Sequence, residues 1–433
     1  MSGINPAGVS GRKGGARTIG RIRIAAVAAT LLVVAGCGSR PGPDSLATSD
    51  ATAPGATRHT ILVASTRARD PHPGTFYSGE RTPALSFAKV DLTVPPSHQV
   101  GEVEWPKQPP GNPATEMVVQ SAAYRETPQE FNADLKAELA RRPAGQRNAV
   151  IFIHGYNTQF SEALYRLAQM AEDSKSTAVP VLFTWASRGD TADYVYDTNS
   201  ATAARDRLED TIRMVFASGA DQVSIFAHSM GNWVTVEALR QIKISGKGLP
   251  VDKLGNIILA APDIDVDVFK TQLKRFGKPP KPFIVVVSAD DKALGFSQFI
   301  AGGKSRLGSY TKDDELVALG AVVADMTDVK SLDEYNHGKF AQLVAMAPEL
   351  QSVVASAKKN KEGGQITVAG VKLFGLEQFA LQQPSRGTTR QRGRDASTGN
   401  DVAATTPAAT AAEPAPAATT TEVAEAAQAA QPQ

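Results

Sequence analysis

Cysteine is nearly missing from this chain: of 433 residues only Cys37 carries a thiol. That excludes an intrachain disulfide and any site built from clustered thiolates. Histidine is sparse too, with six in all. No Cys/His cluster has ligand spacing, so no metal and no cofactor are expected. Excess charge is also lacking, the formal net being +2, which removes the electrostatic case for a nucleic-acid partner. The apolar run Ile24–Gly36 is too short to span a bilayer with ease. No repeat of solenoid period is visible. From Pro384 onward large apolar residues almost disappear, so residues 384–433 read as a disordered Ala/Pro/Thr-rich tail.

What is present begins with a targeting segment. Arg12, Lys13, Arg17, Arg21 and Arg23 precede the apolar run, which ends in Val34-Ala35-Gly36-Cys37. This resembles a bacterial lipobox, whose cysteine is lipidated and becomes the mature N-terminus. Residues 1–36 are then a lipoprotein signal peptide, and the protein is exported to the cell envelope and held to the membrane by Cys37. Gly38 is not the Asp that commonly retains lipoproteins at the inner membrane, so an outer-membrane site facing the periplasm is expected. Residues 37–58 are polar with scattered Pro and Gly and read as a flexible tether. Residues 59–126 read as a small β-rich segment, in which Arg67 and Arg69 either sit on the surface or pin a loop.

From residue 127 to 383 the pattern changes. Thr127-Pro128-Gln129-Glu130 has the form of a capping box with Pro at the first helical position. Strand-like runs then alternate with amphipathic, helix-length segments: Ala149–Ile153, "VPVLFTWAS", "QVSIFAHS", "NIILAAPDID", "PFIVVVSADD" and "GAVVADM". Such alternation predicts a mostly parallel sheet with helices on both faces. Functional loops then lie at the carboxyl ends of the strands.

One of those ends stands out. In "QVSIFAHSMGNWV" a β-favouring run meets a tight turn and then helical spacing at Val234, Ala238, Leu239 and Ile242. A nucleophile on a strand-to-helix elbow needs small residues two before and two after it, so that strand and helix pass without a clash. Here Ala227 and Gly231 flank Ser229. The serine needs a base, and the base needs an acid. Among the histidines, His59, His72 and His98 precede the alternating region. His228 adjoins the serine and points away from it by backbone geometry. His154 ends the first alternating strand. His337 in "EYNHGKF" remains, and it follows the serine in the chain order that such elbows use. For the acid, Asp291 follows the next-to-last strand and is favoured over its neighbour Asp290. Asp263, one strand earlier, is the other alternative, unless it merely caps the helix after it. The oxyanion donors are expected from the amides of Met230 and Tyr156, with His154, Gly155 and Asn157 shaping the second loop. Trp185, Tyr194 and Tyr196 either wall the pocket or pack the core edge, within a stretch "RGDTADYVYDTNS" that reads as a loop over the site.

Taken together, "VIFIHGYNTQFSEALYRLAQMA", "FTWASRGD", "AHSMGNW", "LAAPDIDVDVF", "SADDKAL" and "YNHGKF" resemble a family of bacterial α/β hydrolases, esterase- or lipase-like proteins of unassigned substrate. The resemblance covers about His59 to Leu350 and implies the α/β-hydrolase fold with serine hydrolase chemistry. Family members often have Ser after the histidine, where this chain has Gly338. The expectation is a serine carboxylic-ester hydrolase acting on a small-molecule or lipid ester. Its rivals are an acyltransferase on the same triad and a catalytically silent envelope scaffold.

Overall fold

The computed structural model describes residues 3, 40–277, 281–346, 350, 352 and 365–381. The signal segment, Cys37 and the tail from Pro384 lie outside the described residues.

Six strands form the parallel centre of the alternating region: β4 (Asn148–Ile153), β5 (Val179–Thr184), β6 (Gln222–His228), β7 (Leu254–Ala260), β8 (Phe283–Val287) and β9 (Val322–Asp325). Their near-continuous Val/Ile/Leu/Phe runs fit strands covered on both faces. Successive side chains of β4 go to opposite sides: Ile151 and Ile153 join one buried cluster and Phe152 the other. The N-terminal segment joins the same sheet rather than standing before it. Its strands are β1 (Thr57–Arg69), β2 (Tyr77–Val94) and β3 (Val118–Arg125), and β1 runs parallel to β5 from Leu62↔Val181 to Ser65↔Thr184. With β10 (Ile366–Val368) and β11 (Val371–Phe374) the order is β10-β11-β9-β8-β7-β6-β4-β5-β1-β2-β3. Antiparallel pairs close both flanks of the parallel centre.

The helices are α1 (Pro128–Ala140), α2 (Phe160–Asp173), α3 (Tyr194–Phe216), α4 (Gly231–Ile244), α5 (Val266–Phe276), α6 (Lys292–Ile300), α7 (Asp313–Ala318), α8 (Lys339–Ala345) and α9 (Glu377–Leu381). They cover both faces of an α/β-hydrolase sheet. At α1, Thr127 accepts the Glu130 amide at 3.2 Å, whereas the Glu130 carboxylate turns to the Glu126 amide at 2.7 Å, so half of the capping box forms.

Two expectations need correcting. The stretch "RGDTADYVYDTNS" is a loop only as far as a short 3-10 turn at Thr191–Asp193; α3 starts at Tyr194. Asp190 caps that turn by accepting the Ala192 amide at 2.8 Å, and the buried Asp197 carboxylate ties the first helical turn inward. Residues 40–47, read as tether, lie against the domain. Leu46 is 3% exposed, and the Tyr165 hydroxyl donates to the Ser45 carbonyl. Their Pro and Gly shape a docked strap, whose polar attachments include the Arg40 fork, the Ser45 carbonyl and the Leu46 amide, which donates to the Gly74 carbonyl at 3.1 Å.

Candidate active site

β6 delivers Ser229 at its carboxyl end with φ at +52°, a left-handed conformation that non-glycine residues seldom adopt. The turn is held from three sides. Ser229 donates its amide to the Ala260 carbonyl at 3.0 Å, and its carbonyl accepts the Asp263 amide at 3.2 Å. The buried Asn232 amide group donates to the carbonyls of Ser229 and Ala260, at 3.0 and 2.8 Å. Gly231 starts α4 where a Cβ would lie 2.3 Å from the His154 carbonyl oxygen. Gly155 faces the serine itself, since a Cβ there would fall 2.7 Å from Ser229 Cβ. Both glycines are thus demanded by close approach. Ala227 is fully buried beneath the turn.

The second loop, His154–Asn157, is anchored by His154 and Asn157 themselves, by Arg67 in the second of the two roles open to it, and by Thr184, Ser187 and Asp197, which sequence reasoning missed. His154 is buried; its Nε2 accepts from Thr184 Oγ1 at 2.9 Å and from the Trp185 amide at 3.3 Å, and Nδ1 donates to the Gly155 carbonyl at 2.9 Å. Burial, reinforced by the nearby Arg67 charge, pushes its pKa down to about 3, so it stays neutral. Arg67, from β1, is fully buried and donates to Thr184 Oγ1 at 2.8 Å, Ser187 O at 2.7 Å and Thr158 O at 2.7 Å. Asp197 accepts the Asn157 amide at 3.1 Å and the Ser187 hydroxyl at 2.5 Å. Asn157 takes φ +54°. The Tyr156 ring lies 5.1 Å from that of Tyr194, and its hydroxyl donates to Thr191 O at 2.5 Å. Among the described residues, neither the Tyr156 nor the Met230 amide is taken by a hydrogen bond.

The His337 ring sits across from this turn, 4.6 Å from the ring of His228. His337 Nδ1 donates to Asp291 Oδ2 at 2.7 Å. Burial lowers the imidazole pKa, but the Asp291 carboxylate, with Asp263 and Asp333 farther off, outweighs it, and the net shift is upward. Asp291 also caps α6, accepting the Leu294 amide at 3.0 Å. The Ser229 hydroxyl is not hydrogen-bonded to His337 here; such contacts are often long in free enzymes and tighten with substrate. His228 stacks on Phe340 at 4.0 Å, and burial, with the neighbouring His337, keeps it neutral.

Asp333, an organiser that sequence reasoning missed, accepts the amides of Tyr335 at 2.9 Å, His337 at 3.1 Å and Gly338 at 2.7 Å. The only signal for it was an Asp shortly before a His-Gly turn.

The alternative acids are engaged elsewhere. Asp290 holds the buried Lys339 ammonium at 2.8 Å and accepts from Asn336 at 2.9 Å, so it braces the histidine loop rather than merely facing solvent. Asp263 pairs with Arg306 at 3.1 Å and accepts from Ser297. It does not cap α5; Asp265 does, accepting the amides of Asp267 and Val268 at 2.8 and 3.2 Å, because Asp263 lies two residues too early to reach them. Of the three aromatics, Trp185 is core, stacked on His154 at 5.1 Å. Tyr194 reaches Ser297 at 3.0 Å beside Asp263, and Tyr196 lies outward under Arg188.

Residues 127–356, just over half of the chain, match the model of a family described as alpha/beta hydrolase of unknown function (DUF900). No curated protein matches the chain.

Proposed function

Given that this chain belongs to that family of alpha/beta hydrolases, we propose that it is a serine hydrolase of carboxylic esters working through Ser229, His337 and Asp291. The observation that carries the reading is the strained Ser229 turn, packed against Gly155 with no room for a Cβ, beside a histidine bound to a carboxylate at 2.7 Å.

His337 Nε2 takes the Ser229 Oγ proton as that oxygen bonds to the ester carbonyl carbon. The carbonyl π electrons move onto oxygen, where the Tyr156 and Met230 amides receive the developing charge. Collapse of this intermediate breaks the carbon–oxygen bond to the alcohol, which leaves with the proton from His337. Water repeats the sequence on the acyl-enzyme, releasing the carboxylic acid and restoring Ser229. Asp291 keeps Nδ1 protonated, so that Nε2 faces the serine as the base. Asp291 and the raised histidine pKa also stabilise the imidazolium that forms between the two proton transfers.

We further read the protein as exported and lipid-anchored through Cys37, at the outer membrane facing the periplasm. Its partners in this reading are an ester substrate and the membrane. Hydrolysis of 4-nitrophenyl esters of increasing chain length, by wild type and Ser229→Ala, tests the chemistry. Turnover in the wild type that vanishes in a folded variant supports it, and equal turnover in both refutes it.

A further inference from the structure

Two residues, Gly38 and Ser39, lie between Cys37 and Arg40, and the three extended steps cover at most about 11 Å. Arg40 is not free. Its guanidinium donates to Asn157 Oδ1 at 2.9 Å, Asn157 O at 2.6 Å and Gly189 O at 2.6 Å, and grips Glu162 at 2.8 and 2.5 Å. Beyond it, the Ser45 carbonyl is held by Tyr165 and Leu46 is buried. Asn157 lies two residues from Gly155, whose backbone is pressed against Ser229. Arg40, three residue steps along the chain from Cys37, is therefore tied to the loop that walls the nucleophile, at the carboxyl edge of the sheet.

That edge carries exposed apolar side chains. α6 meets it through Ser297. Ser297 touches Asp263, and the segment after α6 returns at once to pair Arg306 with Asp265 and Asp263. From the end of α6 project Phe299, 81% exposed, and Ile300, 41% exposed. Val195, 69% exposed, follows Tyr194, whose hydroxyl meets Ser297 at 3.0 Å. Gly189, which binds Arg40, lies in the connection between β5 and α3, and Val195 lies in the first turn of α3 that this connection leads into. A large aromatic left this open to solvent is a contact surface in waiting. The length of chain back to the anchor says what covers it.

We propose that the active site opens onto the membrane that holds the anchor, and that its substrate is an acyl ester resident in that bilayer. The inference rests on Cys37 being lipidated and on Ser229 being the nucleophile. With the anchor within about 11 Å of Arg40, the domain cannot tumble away from the lipid surface. Phe299, Ile300 and Val195 then enter the headgroup region, and an acyl chain passes from the bilayer to Ser229 without crossing water. A dissolved ester gains nothing from this arrangement.

The test uses the full-length protein isolated from membranes and reconstituted in phosphatidylethanolamine/phosphatidylglycerol vesicles. It is compared with a variant carrying a Gly/Ser spacer of about 20 residues between Gly38 and Ser39, a reach of about 25 Å. Arg40 and everything after it are unchanged. Two esters are assayed: 4-methylumbelliferyl palmitate dissolved in the vesicles and water-soluble 4-methylumbelliferyl acetate. The N-terminal peptide is weighed in each preparation to read acylation of Cys37. The spacer is expected to lower palmitate turnover about tenfold, as effective concentration falls with tether length, while acetate turnover holds. Unchanged palmitate turnover with Cys37 acylated overturns the orientation alone. A parallel fall on both esters also overturns it, because orientation does not act on a dissolved substrate. An unacylated Cys37 overturns the anchor reading and this inference with it. Wild type inactive on both esters overturns the hydrolase reading.

Discussion

Replacing Gly155 by Ala adds a single methyl at the tightest point between the two loops of the site. That methyl carbon would stand 2.7 Å from Ser229 Cβ, 3.1 Å from His228 Nδ1 and 3.3 Å from the His228 carbonyl oxygen. Ordinary carbon–carbon contact is about 3.5–4.0 Å, so one wall must retreat by about 1 Å. The Ser229 turn resists, being held by Asn232 and by the carbonyl of Ala260. The 154–157 loop resists as well, through Arg67 and Asp197. Either retreat parts the Tyr156 amide from the carbonyl oxygen it is meant to receive, and a displacement of about 1 Å costs on the order of a hundredfold in rate. Overpacking should also lower stability by about 1–3 kcal/mol. The assay is kcat/KM on 4-nitrophenyl butyrate, read well below the unfolding midpoint of the variant. A folded Gly155→Ala protein within about threefold of wild type would refute the close-approach reasoning.

The three aspartates separate by kind of effect. Asp291→Asn removes the carboxylate at His337 and should lower kcat by orders of magnitude, about ten-thousandfold in the analogous change of a serine protease. Asp290→Asn leaves the buried Lys339 without its carboxylate and should cost about 1–3 kcal/mol in urea unfolding with smaller kinetic loss. Asp263→Asn weakens the Arg306 pair and should also act on stability first; loss of turnover there, with Asp291→Asn active, would move the acid one strand earlier. Because the base must be neutral and its pKa is raised, kcat/KM should climb with pH along a limb centred above the ordinary imidazole value of about 6.5. In Asp291→Asn that limb should move to lower pH, and a pH profile of residual activity checks it. His154 gives the opposite sign in stability. Between pH 6.5 and its folded value of about 3 the unfolded chain binds the proton and the folded one does not. Stability should therefore fall by up to about 1.4 kcal/mol per pH unit on acidification. His154→Gln should flatten that slope in denaturation curves.

Much of the frame was legible because it is local. The alternation of buried strand and amphipathic helix reads directly from Asn148 to Asp325, and the elbow from the small residues flanking Ser229. What escaped is written in long-range pairings. Arg67 lies 117 residues from Thr184, which it bonds, and sequence alone left it open between a surface charge and a loop pin. Arg306 claims Asp263 across two helices and a strand, a pairing invisible when the aspartate was read as an alternative acid or a helix cap. Phe299 and Ile300, of which sequence patterning gave no reading, project outward from the end of α6. The strap at residues 40–47 looked like a linker by composition, since its Pro and Gly do not reveal that Arg40, the Ser45 carbonyl and Leu46 will be taken up by residues far along the chain.

The central claim is that Ser229 is the nucleophile, and an active-site phosphonate tests it most directly. A fluorophosphonate that reacts with activated serines should add one probe mass per chain, on the peptide bearing Ser229, with loss of esterase activity in step with labelling. Ser229→Ala should take up none. Labelling at a different serine, or undiminished labelling of a folded Ser229→Ala protein, would contradict the account.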